Sequence, residues 1–282
     1  RSRDVSSVVA EISKLKKDYE ISHIVWIDDD LFFRQSRAIN LFNEMAKNNL
    51  DVTWCASNGV IASAVASAPE LIEAAAKSGC VGLTFGLESG NNDILKAVHK
   101  PSRVEHYYKV GKLMKNYPQI FTRGFLIIGF PNETLAQIKE TVTMAQDIGL
   151  DWYGVQLLSP LPSTEIYDEM VDLGLIDDIK IKKNAEEDGS KLFVVRQAQK
   201  QRKAELVQKN EVQKFVNLFD SDDLSVIPSR EELHDLWLFV DYWINYEPIL
   251  NMSDETRLKK KRTILRDVCN RMTQNNPLAN YF

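Results

Sequence analysis

The sequence contains little cysteine: only Cys55, Cys80 and Cys269 occur among 282 residues. Three widely spaced cysteines exclude a disulfide-stapled mini-protein, and a chain of this length buries a large core without disulfides. Their spacing also excludes a C-x-x-C or C-x-x-x-C-x-x-C set of ligands for zinc or an iron–sulfur cluster within these residues. We expect Cys55 and Cys80, which lie on or beside apolar segments, to be packed thiols rather than nucleophiles.

Long hydrophobic runs and an excess of positive charge are also absent. No apolar run approaches the ~20 residues that a membrane-spanning helix needs, and no signal peptide opens the sequence, so a reducing, cytoplasmic location is expected. The 35 basic and 40 acidic residues give a net charge of −5, which argues against nonspecific binding to nucleic acid or anionic lipid. G-x-S-x-G, P-loop and G-x-G-x-x-G motifs do not occur.

What the sequence does contain is a regular alternation of helix-like and strand-like segments. Helical spacing appears before residue 20, over about 36–48, after Pro69, after an S-x-x-E capping box at Ser102 and Glu105, and after Thr134 with Gln137. The short apolar segments between them predict strands at residues 23–27, 52–56, 81–87, 122–128 and 152–157. Such an order predicts an α/β fold with a parallel sheet, right-handed crossovers and helices packed outside, as an open or closed barrel.

The composition of the sequence changes near residue 176. We therefore expect a barrel over 1–175 and a helical C-terminal region over 176–282. In the second part we expect a polar helix over 195–218, an aromatic helix after a capping box at Ser229 and Glu232, and a basic-faced helix over 254–273. We expect these helices to cover the open side of the barrel or its substrate entrance.

Polar residues follow the C-terminal ends of the predicted strands, where parallel α/β sheets bind their ligands. Glu88, Ser89 and a flexible glycine emerge together, and this group suits hydrogen bonds to a ribose or an amino group. The alternative is that Ser89 or Asn91 caps the next helix and Glu88 complements its dipole. The other such ends are Asp28-Asp29-Asp30, Asn58-Gly59, Gly129 to Thr134 and Ser159 to Thr164.

The triple aspartate at 28–30 allows two interpretations. Carboxylate oxygens bind hard cations, so a hydrolase or lyase that uses a divalent cation is one of them. Successive side chains point in different directions, however, which favours one functional carboxylate and two solvated ones. Glu133 and Thr134 are explained equally well as first-turn capping residues of the helix that follows them.

In order and spacing these landmarks resemble the radical S-adenosylmethionine (SAM) superfamily, and specifically the branch often fused to an N-terminal cobalamin-binding domain. The resemblance covers residues 1 to about 170. Its landmarks are RSRDVSSVVAEISKL, HIVWIDDDLFF, VTWCASNG, SGCVGLTFGLESGN, Lys100 in KAVHK, FLIIGFPNET and SPLPST. Asn132 and Ser163 depart from the family pattern, because they stand where the family usually has glycine.

The resemblance implies a partial TIM-type (β/α)6 barrel that holds a [4Fe–4S] cluster and SAM in its mouth. It implies reductive cleavage of SAM to a 5′-deoxyadenosyl radical, with cobalamin-dependent methyl transfer as one outcome. It further implies an electron donor such as flavodoxin or ferredoxin, and a substrate that is a small molecule or of a class that the sequence leaves open. The residues that it places against SAM are Glu88 and Ser89 at the ribose or methionyl end, Ile128 and Gly129 at the adenine, and Leu158, Ser159 and Pro160 above it. It places Asp28 and Asp30 towards the same pocket or towards the substrate.

Family members bind the cluster through three cysteines spaced C-x-x-x-C-x-x-C after the first strand, and neither that loop nor that strand is in the sequence. We therefore expect a fragment of a radical enzyme, truncated at its N-terminus, with the cluster ligands upstream of Arg1. Two alternatives stay open. One is a barrel without a cluster that binds a nucleotide-like ligand or a partner, and the other is the cation-dependent hydrolase or lyase at Asp28 to Asp30.

Overall fold

The computed structural model describes residues 2–176, 223–272 and 277–281. In these ranges the chain forms a parallel five-stranded sheet whose strands follow one another in sequence order. The predicted α/β fold is confirmed. The strands are β1 His23–Trp26, β2 Thr53–Val60, β3 Cys80–Glu88, β4 Phe121–Ile128 and β5 Trp152–Leu157.

Helices separate these strands and form the C-terminal part. Between and after the strands lie α1 Val5–Tyr19, α2 Gln35–Lys47, α3 Ala62–Ser67, α4 Glu70–Lys77, α5 Asn92–Ala97, α6 Val104–Met114, α7 Leu135–Ile148 and α8 Glu165–Asp172. The C-terminal helices are α9 Arg230–Asn245, α10 Glu255–Asp267 and α11 Pro277–Tyr281. The predicted helix over 195–218 lies outside the described residues. None of the described helices is both long and apolar enough to cross a membrane.

The two faces of the sheet differ, and β4 shows the difference most clearly. Thr122, Gly124, Leu126 and Ile128 are buried on the outer face, on which the helices pack, whereas the alternate residues are only half-buried. We call the face with these alternate residues, Phe121, Arg123, Phe125 and Ile127, the inner face. Sequential strand order with right-handed crossovers places the connecting helices on one side, which leaves the inner face available to a ligand.

The two edges of the sheet differ in how far other parts of the chain cover them. At the β1 edge Val25 and Ile27 are 50% and 75% exposed. At the β5 edge α9 supplies side chains in place of a further strand: Trp237 Nε1 donates to the Val155 carbonyl (2.7 Å), and Asn245 both donates to the Tyr153 carbonyl and accepts from its N–H (2.8 Å each). These bonds satisfy backbone groups that an uncovered edge would leave unpaired.

The N-terminal ends of β4 and β5 are tied to α10. Lys260 Nζ donates to Asp151 Oδ2 at 2.7 Å and to the Ile120 carbonyl at 2.9 Å. Lys261 Nζ lies 4.9 Å from the ring centroid of Trp152 and donates to the Asn245 carbonyl at 3.0 Å. Burial lowers the pKa of this lysine to about 8.

The capping predictions are confirmed at three helices and wrong at one. Asn91 caps α5, and the predicted boxes at Thr134 with Gln137 and at Ser229 with Glu232 are formed. The box predicted at Ser102 and Glu105 is wrong: α6 begins at Val104, and the Ser102 hydroxyl accepts from the backbone N–H of Ser63 at 3.0 Å. The Ser102 hydroxyl therefore links the start of α3 to the loop before α6 by a hydrogen bond.

Candidate functional site

A cavity of about 440 Å³ opens at the C-terminal ends of β2, β3 and β4, a volume within the ~300–1,000 Å³ range of small-molecule sites. The position is the one that parallel α/β sheets use for ligands. Its polar lining residues are Asp29, Asp30, Asn58, Glu88, Lys100 and Gln156, and its apolar ones include Val60, Ile61, Phe125, Leu126 and Ile127.

Glu88 and Lys100 form an ion pair in the wall of this cavity. Lys100 Nζ donates to Glu88 Oε1 at 2.8 Å, and the two side chains are 20% and 21% exposed. Glu88 ends β3 with φ +66, a left-handed conformation that a residue other than glycine adopts only when its surroundings hold it there. Charge-assisted hydrogen bonds in such partly buried positions are stronger than surface ion pairs. The pair is therefore a fixed, polar feature of the wall.

Two glycines, Gly59 and Gly86, line the cavity next to this ion pair. A Cβ placed on Gly86 would lie 3.0 Å from Lys100 Nζ and 3.1 Å from Glu88 Oε1, so the ion pair occupies the space that a side chain would fill. Gly59 has φ +108, a conformation that glycine adopts without strain. A Cβ there would lie 3.7 Å from the Gly86 nitrogen, an ordinary contact, so the space for the ion pair is left by Gly86.

Asp30 adds a second carboxylate. Its Oδ1 accepts from the Phe32 N–H at 3.1 Å, while Oδ2 is buried without a partner among the described residues. Burial raises the pKa of Asp30, against the lowering effect of backbone hydrogen bonds and of the Lys100 charge. A buried acceptor beside a cavity is placed to receive a hydrogen bond from a donor in the cavity, such as a hydroxyl or an amino group.

Glu133 holds the turn beside the cavity. Its Oε2 accepts from the backbone N–H groups of Gly129 (2.6 Å) and Phe130 (3.2 Å), and its Oε1 is buried without a partner in the described ranges. Burial raises the pKa of Glu133 to about 7, although the two hydrogen bonds act in the opposite direction. This carboxyl group therefore caps the turn after β4, whereas Thr134 caps α7.

Of the residues assigned to SAM from the resemblance, Glu88 and Asp30 line the cavity. Asp28 is exposed beside it. Ser89 is fully buried, where its hydroxyl accepts from the Asn91 N–H at 3.1 Å and lies 3.3 Å from the Thr141 hydroxyl. Ser89 therefore shapes the turn that carries Glu88.

The remaining assigned residues stand around the turn after β4 and the end of β5. Ile128 is fully buried on the outer face, and its carbonyl accepts from the Leu158 N–H at 2.9 Å. Gly129 has φ +89 and packs against Leu233 of α9. Ser159 is exposed. This group supports the rim next to the cavity.

Lys100, Asn58 and Gln156 also line the cavity. The sequence marks Lys100 as a landmark of the resemblance and Asn58 as a strand-end residue without assigning either a contact, and it does not single out Gln156. Lys100 is twelve positions after Glu88 and reaches it only because α5 ends and the chain turns back, with the Lys100 N–H bonded to the Leu95 carbonyl. Gln156 pairs in register with Ile127 of β4, so both point to the inner face. Extending the period-2 pattern across both strands identifies such inner-face positions.

The described residues do not supply a ligand set for a metal ion or a cluster: they hold no group of three or more His, Cys, Asp or Glu side chains suited to one. Burial raises the pKa of the Cys55 and Cys80 thiols, that of Cys80 to about 12, as expected of packed thiols. The lining of the cavity carries the carboxylates of Asp29, Asp30 and Glu88, one of them with an unpartnered oxygen, and the Lys100 ammonium group. This set fits an organic ligand with hydroxyl, amino and carboxylate groups.

The chain is similar to known proteins in sequence and in fold. Residues 1–145 match the family model of the Radical SAM superfamily. An uncharacterised methyltransferase of Pyrococcus horikoshii is 28% identical over 177 residues, which are 62% of this chain and 37% of that protein. Bacteriochlorophyllide d C-12(1)-methyltransferase of Chlorobaculum tepidum is 32% identical over 148 residues, 52% of this chain and 31% of that protein. The chain spans about a third of the length of these relatives.

Among solved structures, the radical S-adenosylmethionine methyltransferase TsrM of Kitasatospora setae, with cobalamin and a [4Fe–4S] cluster bound, superposes with a TM-score of 0.52. The superposition covers 61% of this chain and 34% of that chain at 19% sequence identity. At this identity the likeness concerns the fold, and it agrees with the partial barrel expected from the sequence.

Proposed function

The chain belongs to the radical SAM superfamily, and on that premise we propose that it forms the SAM-binding part of an enzyme that transfers a methyl group with the help of cobalamin. The observation that carries the proposal is the Glu88–Lys100 pair, which lies in one cavity with the orphaned Asp30 carboxylate at the strand ends. Methyl transfer is supported by the names of both relatives and by the cobalamin in the K. setae structure.

Each charged residue has a distinct role in this proposal. The Glu88 carboxylate accepts hydrogen bonds from the ribose hydroxyls, and Lys100 holds that carboxylate in place while offering its remaining N–H groups to the SAM carboxylate. Asp30 Oδ2 accepts from the SAM amino group, which supplies the donor that this buried atom lacks.

The rim residues position these groups and contact the adenine. Ser89 and Gly129 shape the turns, Leu158 and Ser159 stand at the rim, and we propose that Ile127 rather than Ile128 supplies the apolar contact, because Ile127 lines the cavity. Asp28 remains a candidate contact at the exposed end of the aspartate run.

The bound groups would supply one-electron reduction, through a [4Fe–4S] cluster acting on SAM, and methyl carriage, through cobalamin. The described residues provide the pocket and not the cluster ligands, so their part is to bind and orient SAM. The proposal includes a small-molecule substrate, a cytoplasmic location and an electron donor of the flavodoxin or ferredoxin kind. It also divides the chain into a SAM-binding barrel over 1–175 and a helical region over 176–282.

Calorimetric titration of this chain with SAM tests the proposal. We expect Glu88→Gln and Asp30→Asn each to weaken SAM binding about tenfold, and Lys100→Met by a similar factor, because each removes a charged contact. Glu73 and Lys77 form an exposed ion pair of 2.6 Å on α4, so Glu73→Gln and Lys77→Met are matched controls that should bind like the wild type. Equal SAM affinity in the Glu88 and Glu73 variants, or no SAM binding by the wild type, would contradict the proposal.

A further inference from the structure

Arg123 stands in the middle of β4 on the inner face of the sheet. It pairs in register with Thr84 of β3 and with Trp152 of β5, so its side chain faces the interior that the five strands surround. Phe125, two residues further along β4, lines the cavity. Since a strand rises about 3.3 Å per residue, Arg123 lies about 7 Å deeper in the barrel than the cavity wall.

The guanidinium group of Arg123 has no carboxylate partner in the described part of the chain. Its Nε is buried without a hydrogen-bond partner there, and its Cζ lies 5.5 Å from the ring centroid of Phe125. By contrast, Lys100 and Lys260 are paired with Glu88 at 2.8 Å and Asp151 at 2.7 Å. Burial lowers the pKa of Arg123, which reflects the cost of placing an unpaired cation in this position.

The side chains around the guanidinium group hold it against the inner face, below the cavity. Phe125 lies across Gly154 of β5, where a Cβ would come within 2.9 Å of the ring, so its position is fixed by packing. Thr84 and Gln156 carry polar side chains on the same face, and Gln156 lines the cavity. The inner face therefore presents a cation that stacks on an aromatic ring, with the Thr84 hydroxyl at the same level of the sheet and the Gln156 amide further up, at the cavity.

We propose that Arg123 binds an oxyanion of the substrate, a carboxylate or phosphate group, inside the barrel, and thereby selects anionic substrates. This inference rests on the proposed function, because it takes SAM to occupy the cavity above. The planar guanidinium fork binds both oxyanions through two parallel hydrogen bonds, which a lysine does not reproduce. The anionic end of the substrate then points into the barrel, and its opposite end faces the strand ends where SAM lies.

Thermal unfolding of this chain in the presence of small anions tests the inference. Acetate and succinate serve as carboxylate probes and inorganic phosphate as the other, at constant ionic strength. We expect at least one probe to raise the Tm of the wild type, with an apparent affinity about tenfold weaker in Arg123→Met and reduced in Arg123→Lys. Arg262→Met, at an exposed position of α10, removes the same charge elsewhere and should respond like the wild type.

Two further readouts separate binding from structure. Without the probes, Arg123→Met should unfold at the wild-type Tm or up to about 3 °C above it, because it replaces an unpaired partly buried charge by an apolar chain. SAM affinity should stay within about twofold of the wild type. A failure of the wild type to bind SAM would count against the proposed function and not against anion binding.

Three results would overturn the inference itself. The first is that no anion stabilises the wild type more than Arg123→Met. The second is a Tm of Arg123→Met more than about 3 °C below the wild type without the probes, which would reveal a structural partner of the guanidinium group. The third is a loss of SAM affinity in Arg123→Met, which would assign the cation to the cofactor.

Discussion

Three ionisable side chains in or near the barrel mouth, Asp30, Glu133 and Arg123, each keep a polar atom buried without a partner in the described residues. Such atoms are rare in folded proteins, because each forfeits hydrogen bonds to water. Asp30 and Glu133 follow strands β1 and β4, and Arg123 lies on the inner face below the cavity. Of the three, only Asp30 lines the cavity, so its unpartnered oxygen is the one placed to accept from a ligand there.

Glu133 gives a prediction about pH. Its pKa in the folded chain, about 7, lies above the ordinary value of 4.5, so between these values the folded chain holds a proton that the unfolded chain releases. The free energy of unfolding should therefore fall by about 3 kcal/mol as the pH rises from about 4.5 to about 7. Denaturant unfolding at a series of pH values measures this fall.

Glu133→Gln isolates this effect. The amide oxygen can still accept from Gly129 and Phe130, but it does not titrate, so the variant should lack this part of the pH dependence. Glu105→Gln, at an exposed position of α6, should follow the wild type. Parallel stability curves for the wild type and Glu133→Gln would show that this carboxyl group does not carry the effect.

At the scale of helices and strands, α9 closes the sheet by side-chain hydrogen bonds. Asn245 is fully buried and bonds both the N–H and the carbonyl of Tyr153, while Trp237 bonds the Val155 carbonyl. Leu233, one turn from the start of α9, packs on Gly129 at the rim of the cavity. One helix therefore covers the β5 edge and supports the turn after β4.

Asn245→Ala should destabilise the chain by about 2–4 kcal/mol, because it leaves two buried backbone groups of Tyr153 unpaired. Asn40→Ala, at an exposed position of α2, should change the free energy of unfolding by less than about 0.5 kcal/mol. Denaturant unfolding at constant pH compares the two. A cost at Asn245 no larger than at Asn40 would mean that α9 does not cover the edge in solution.

The sequence predicted the order of elements because the 2.0 and 3.6 periodicities are local. The strand predicted over 152–157 matches β5, whereas β2 runs on to Val60 through an irregular register that Gly59 permits. Helix α3 was missed because it has only six residues, of small side chains.

The candidate site was only partly predictable for a related reason. Glu88 is the last residue of β3 and Asp30 lies in the loop after β1, so their place at the strand ends could be read from the sequence. The pairing of Lys100 with Glu88 depends on how the chain turns back after α5. That Arg123 has no carboxylate partner among the described residues depends on which face of β4 it occupies and on which side chains the neighbouring strands place there. Both are long-range properties of the folded chain.

At the scale of the whole molecule, the described residues combine a polar cavity at the strand ends with a barrel interior that carries an unpaired cation. The chain spans about a third of the relatives that it resembles, and its described part contains a pocket of about 440 Å³ but no cluster ligand set. Under the proposed function, these residues therefore bind and orient SAM.

A crystal structure of this chain with SAM would show whether the cofactor binds at the C-terminal ends of β2, β3 and β4. We expect SAM in the cavity, with Glu88 within about 3.2 Å of its ribose hydroxyls and Asp30 Oδ2 within the same distance of its amino group. SAM bound elsewhere on the chain, or in the cavity without contact to either carboxylate, would contradict this expectation.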